Sequence, residues 1–272
     1  MILPQLETLS LTRAGGCLEV LLNRPEKRNA MNQQMSAELH QLLDWLVPQS
    51  ELRVVVFRGA GGHFCAGGDI KERHAQAEQT AESSADDALL QRNIRAGQML
   101  AKIQNLPQTT VALVEGSAFG GGLGILCVTD IAIVAASARL GMPETTLGIA
   151  PAQIAPYVVK RVGLTRARQL ALTAERFDGA RAYQYGFAQY LCEVDDLQTT
   201  LDKVVGQILQ CGPQANATTK RILLGVGNHS EADSIRYSAE EFATLNRNDE
   251  GREGQSAFVE KRAPAWQVEA DE

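Results

Sequence analysis

The chain has 272 residues, a formal charge of −6, and 44% hydrophobic against 21% charged residues. The length suits one domain with an extension, and the balance supplies ample core and excludes global disorder. The acidity excludes binding of nucleic acid through a broad basic face. No run of about 18 apolar residues is present, which excludes a membrane-spanning helix. Residues 1–22 contain Glu7 and no basic start ahead of an apolar run, so no secretory leader is expected. The five cysteines (Cys17, Cys65, Cys127, Cys192, Cys211) are scattered and form no CxxC pair. They are expected as reduced thiols in a cytoplasmic compartment.

In chain order, residues 17–22 read as a strand ending at the turn-prone Asn23-Arg24-Pro25. Residues 32–46 carry Met35, Leu39, Leu42, Leu43 and Leu46 at helical spacing behind Asn32, a suitable N-cap. Residues 52–57 read as a buried strand and 59–62 as a break. Residues 72–87 read as a mobile or loosely helical excursion. Residues 89–106 read as a helix stopped by Pro107, 109–114 and 131–135 as buried strands, and 115–124 as a small-residue turn entering a helix. Residues 54–68 and 111–124 repeat one pattern of strand, Gly-rich turn and helix, which suggests a spiral of ββα turns. From Pro151 on, the helical segments are 158–162, 166–173, 179–186, 197–209, 214–224, 232–246 and 252–262. The composition shift near residue 195 separates a C-terminal helical region.

Two Gly-rich turns carry the strongest chemical signal: 63–70 (His-Phe-Cys-Ala-Gly-Gly-Asp-Ile) and 116–124 (Gly-Ser-Ala-Phe-Gly-Gly-Gly-Leu-Gly). Small residues let backbone N–H groups approach a ligand. Two such groups on one oxygen would form an oxyanion hole; equally, the glycines would serve tight packing alone. Neither turn fits a P-loop or GxGxxG, and Ser117 lies in no GxSxG frame. His63 and Cys65 lack companions for a metal site. Glu144, in an apolar Gly-bounded segment after Pro143, suits acid–base work if desolvated and turn capping if not. Glu115 is a rival carboxylate.

Taken together, Asn23-Arg24-Pro25 with Asn29-Ala30-Met31, the segment 64–70, residues 116–124, Asp130-Ile131-Ala132 and Pro143-Glu144 resemble the crotonase (enoyl-CoA hydratase/isomerase) superfamily in order and spacing. The resemblance implies an α/β fold: a spiral of ββα units over residues 1–195 that binds acyl-CoA, and a helical trimerisation region over 196–272. It implies a homotrimer or dimer of trimers, acyl-CoA thioester substrates, no metal, and no cofactor apart from the coenzyme A of the substrate. Carried over by motif, the oxyanion amides fall on Ala66 and Gly121, and the proton-handling carboxylate on Glu144. Coenzyme A contacts fall on Ala66, Gly67, Gly68, Asp69 and Ile70, with Arg24, Lys27 and Arg28 meeting phosphates.

The chain departs from the family's hydratases at Gly124, which stands where a first glutamate is usual. Gly124 is expected to leave room for substrate. Residues 149–158 resemble hydratases of branched glutaconyl thioesters, those of isohexenylglutaconyl-CoA in acyclic terpene (citronellol and geraniol) breakdown in particular, with Gln153 expected to bind the branch carboxylate. A 3-methylglutaconyl-CoA hydratase, an enoyl-CoA isomerase and a non-catalytic CoA-binding scaffold are the alternatives.

Overall fold

The computed structural model describes residues 1–72, 82–228 and 230–268. Most of the 72–87 excursion lies outside them. The strands in chain order are β1 (Leu9–Ala14), β2 (Cys17–Leu22), β3 (Val54–Gly59), β4 (Thr109–Val114), β5 (Ser117–Phe119), β6 (Ile131–Ala135), β7 (Arg139–Gly141), β8 (Arg176–Asp178) and β9 (Tyr190–Cys192). The helices are α1 (Gln33–Leu46), α2 (Glu82–Gln104), α3 (Gly121–Val128), α4 (Ala155–Thr173), α5 (Gly179–Tyr185), α6 (Leu197–Leu209), α7 (Pro213–Gly225), α8 (Glu231–Arg247), α9 (Asp249–Glu260) and α10 (Ala265–Val268).

One sheet runs β1-β2-β3-β4-β6-β9, parallel except for the β1–β2 hairpin, and a second runs β5-β7-β8. The two repeats seen in the sequence lie side by side, with Val56 paired to Val111 in the β3–β4 ladder. Val54, Val55, Val56 and Phe57 are all buried, as a central parallel strand covered on both faces requires. Helix α1 begins where expected: Asn32 Oδ1 accepts the Met35 N–H at 2.9 Å. Its apolar stripe (Met35, Leu39, Leu42, Leu43, Leu46) is fully buried.

Helix α6 follows the sequence reading residue for residue, and Leu197, Leu201, Val204 and Ile208 face the sheet. The segments 158–162 and 166–173 form the one element α4, broken at Gly163, whose φ of 77° only glycine adopts readily. β1 and the three-residue strands β5, β7, β8 and β9 were not read from sequence. No described helix is long and apolar enough to cross a membrane.

Candidate active site

The loop after β2 is clasped onto the loop after β3. Asn29 is buried at φ 56°, a region that asparagine tolerates better than most residues. Its Oδ1 accepts the Arg24 N–H at 2.9 Å, and its Nδ2 donates to Ala60 O at 2.9 Å and His63 O at 2.6 Å. Arg24 donates to Ala30 O at 2.5 Å and reaches Asp69 Oδ2 through both terminal nitrogens at 3.2 Å. Burial works against the Asp69 charge. Hydrogen bonds from the Glu72 N–H and Arg24, with the Arg24 charge, outweigh it and hold the carboxyl below its usual range. Arg24 and Asp69 are therefore tied to each other, which corrects the assignment of Arg24 to phosphate.

The clasped loop then runs beside the second Gly-rich turn. Cys65 N–H donates to Ser117 O at 2.8 Å and Phe119 N–H to Cys65 O at 2.9 Å. Cys65 thus pairs in parallel with Ala118. Two residues on, Gly67 lies against Phe119 and Gly120, the residues just before Gly121. A Cβ on Gly120 would lie 3.8 Å from Gly67 Cα, so the segments stay close to that point. Ala66 N–H donates to Arg28 O at 2.9 Å. That donor is engaged, which overturns its oxyanion role. Among the described residues, the N–H groups of Gly68 and Gly121 meet no protein acceptor. Gly121 is also the first residue of α3, where the helix dipole favours negative charge.

Glu144 opens a 3₁₀ turn (Glu144–Leu147) and is half-buried, with Oε2 shut off from solvent. A Cβ on Gly120 would stand 2.9 Å from Glu144 Oε1. Gly120 also has φ 51°. The carboxylate therefore sits against the turn that supplies the Gly121 amide, and only glycine at 120 permits it. Met31 locks the same corner: its N–H donates to Gly67 O at 2.7 Å, its O accepts from Asp69 N–H at 2.9 Å, and its methyl covers Gly121.

The remaining expected residues fall as follows. Lys27, Arg28 and Ile70 are exposed. Gly67 is buried, and its N–H points to Cys65 Sγ at 3.4 Å. Gly124 opens no space: a Cβ there would lie 2.6 Å from Ile154 Cγ2 and 3.3 Å from Leu100 Cδ1. Gln153 is engaged elsewhere, since its Nε2 donates to Asn93 Oδ1 at 2.7 Å. Glu115 stands 3.6 Å from the Cβ position of Gly62, not beside Glu144. His63 Nδ1 accepts the Ser117 N–H at 3.2 Å and so splints the second turn. Burial pushes the Cys65 thiol up to about 11, so it is inert as a nucleophile at neutral pH. Sequence reasoning did not single out the open N–H of Gly68, nor Asn29 and Met31 as the residues that hold its loop, because these contacts form only in the fold.

A fold of this kind, with two Gly-rich turns side by side, defines a class of enzymes that act on acyl-CoA thioesters. The family model for enoyl-CoA hydratase/isomerase matches residues 12–269, and the chain belongs to that family, the crotonases. It is an enzyme of the enoyl-CoA hydratase type. Among solved structures, it is similar to Pseudomonas aeruginosa AtuE, 46% identical over 96% of this chain and 100% of that one, with a TM-score of 0.91. It is also similar to an enoyl-CoA hydratase/isomerase from Marinobacter aquaeolei, 43% identical over 96% and 99% of the two chains, TM-score 0.91. The mevalonyl-coenzyme A hydratase sidH of Aspergillus fumigatus is 31% identical over 258 residues, 92% of this chain and 90% of that protein.

Proposed function

We propose that the protein adds water across the α,β double bond of a branched enoyl-CoA, isohexenylglutaconyl-CoA being the substrate that residues 149–158 favour by resemblance. The observation that carries the reading is the Glu144 carboxylate packed against the Gly120 turn, beside the open amides of Gly68 and Gly121. Those amides hold the thioester oxygen and stabilise the enolate charge that develops on it. Loss of one such donor typically costs about 2.7–4 kcal/mol. Polarisation makes Cβ electrophilic. Glu144 takes a proton from water as the hydroxyl joins Cβ, then delivers a proton to Cα, so that one carboxylate serves both steps and the product gains H and OH. The coenzyme A is part of the substrate. Its phosphates meet Lys27 and Arg28, whose side chains are exposed, and its remaining contacts fall along residues 66–70.

The reading places this reaction in the cytoplasm, in breakdown of acyclic terpenes. It takes residues 196–272 as the region that builds a homotrimer or dimer of trimers. Exposed Ile235, Phe242, Phe258 and Val259 in that region support an association surface. A second reading, double-bond isomerisation, is favoured by the single carboxylate, because one group can shuttle a proton between Cα and Cγ.

The test is a panel of isohexenylglutaconyl-CoA, 3-methylglutaconyl-CoA, crotonyl-CoA and a 3-enoyl-CoA in ¹⁸O-water, read by mass spectrometry. Products heavier by one labelled water, formed fastest from the isohexenyl compound, support the proposal. A product of unchanged formula with a moved double bond supports the isomerase. Thioesters bound and released unchanged sink both and leave a scaffold.

A further inference from the structure

Helix α3 carries Gly120 at its N-cap and Gly124 one turn on, with Gly124 N–H donating to Gly120 O at 2.9 Å. One helical turn advances about 5.4 Å along the axis. Gly124 therefore stands one turn on from the residue that meets Glu144, and Ile154 and Leu100 cover it. Both side chains are buried, at 5% and 2% exposure. Apolar surface thus occupies the position one turn from the carboxylate.

Ile154 is held there from the opposite helix. Its neighbour Gln153 donates to Asn93 on α2, and a Cβ on Gly97 would overlap Gln153 Oε1. Asn93, Gly97 and Leu100 stand at i, i+4 and i+7, one face of α2. Two consecutive residues, Gln153 and Ile154, are therefore received by two glycines on two different helices. Gly97 admits the amide and Gly124 admits the methyl.

We infer that Ile154 is a specificity-determining residue, positioned by the Gln153–Asn93 hydrogen bond over Gly97, and that the wall it forms selects an enoyl thioester with an apolar branch at Cβ. The inference rests on the proposed assignment of Glu144, Gly68 and Gly121 as the reacting site. A glutamate at 124 has no room while Ile154 and Leu100 are in place, so the wall also enforces single-carboxylate chemistry. Gln153 acts as a positioning residue: its amide engages α2, and Gly97→Ala evicts it without touching substrate.

The experiment compares crotonyl-CoA with a 3-alkyl-branched enoyl-CoA in the wild type, Ile154→Ala, Ile154→Val, Gly97→Ala and Glu144→Gln, with thermal melting of each. A lost apolar contact in such a pocket costs about tenfold or more in discrimination. Ile154→Ala and Gly97→Ala are expected to lower kcat/KM for the branched substrate about tenfold, mostly through KM, with crotonyl-CoA changed less than threefold. Ile154→Val should stay within about threefold of wild type on both, and Gly97→Ala carries the test if Ile154→Ala fails to fold. Glu144→Gln should abolish turnover of both substrates. If it does, and the substrate ratio stays at the wild-type value in folded Ile154→Ala or Gly97→Ala, the inference is overturned while the site reading stands. Retained turnover in Glu144→Gln overturns the site reading, and the inference with it.

Discussion

Arg24 and Asp69, 45 positions apart in the chain, share a two-pronged contact at 3.2 Å in which both side chains are largely shielded from solvent. The pair joins the loop after β2 to the loop after β3, and Gly68 is the residue next to Asp69. The open amide is thus set by an ion pair on the neighbouring residue. Removing one partner leaves the other shielded and unmatched, a loss of about 1–3 kcal/mol. Arg24→Met is expected to lower Tm and raise KM for thioesters. Arg24→Met combined with Asp69→Leu should recover part of the Tm loss. Additive losses in the thermal-melt cycle would show that the pair is not coupled.

Gly120 and Gly121 are neighbours with opposite demands. Gly120→Ala meets a φ of 51° and puts a methyl 2.9 Å from Glu144 Oε1. The left-handed conformation costs roughly 1–2 kcal/mol in an L-residue, and the carboxylate must move. Gly121→Ala meets only the methyl end of Met31, which can swing away. Gly120→Ala is expected to lose about a hundredfold in kcat, in line with loss of catalytic alignment, and Gly121→Ala less than tenfold. Equal losses in steady-state rates would contradict the geometry.

Lys27 and Arg28 are proposed to meet the phosphates of coenzyme A. A Lys27→Ala, Arg28→Gln variant is expected to raise KM for CoA thioesters severalfold and to flatten the dependence of KM on salt. The corresponding pantetheine thioesters, which lack the nucleotide phosphates, should show no change. Titrations of KM against ionic strength decide the point.

Glu38 anchors the N-terminal segment to α1. Its carboxylate accepts from Glu7 N–H at 2.9 Å, Thr8 N–H at 2.9 Å, the Thr8 hydroxyl at 2.5 Å and Gln34 Nε2 at 2.8 Å. Burial opposes the charge, but the bonds from Thr8, Gln34 and Glu7 outweigh it and hold the carboxyl below the usual carboxylate range. A group whose folded pKa is depressed stabilises above its unfolded pKa and loses that contribution as pH falls through the folded value. Stability from Glu38 is therefore complete at neutral pH and fades as the pH falls below the ordinary glutamate range and through the lowered folded value. Glu38→Gln should lower Tm at pH 7 and flatten the acid limb of a Tm–pH curve; a parallel acid limb would refute the assignment.

Much of this was legible in the sequence. The helix over 197–209 and the cap at Asn32 follow from apolar spacing and cap chemistry, which are local. β5, β7, β8 and β9 have three residues each, too few to show a period. The Gly-rich motif located the loop proposed to hold the oxyanion, but not which of its amides is open. Ala66 and Gly68 are both small and flank one glycine, and only the fold shows that the Arg28 carbonyl engages the Ala66 N–H and leaves that of Gly68 open. The absence of a side chain at Gly124 was visible. What covers it was not, because Ile154 and Leu100 arrive from separate helical segments and meet there only through tertiary packing.

The most direct test of the account is the turnover of Glu144→Gln beside its binding of a non-reacting acyl-CoA. The substitution keeps the side-chain shape and removes the proton acceptor. The account predicts an unchanged Kd for the saturated thioester, an unchanged Tm within a degree or two, and a kcat lowered about 10²–10⁴-fold, the range for loss of a general acid–base group. A kcat within about threefold of wild type, far short of that range, would contradict Glu144 as the group that moves the protons.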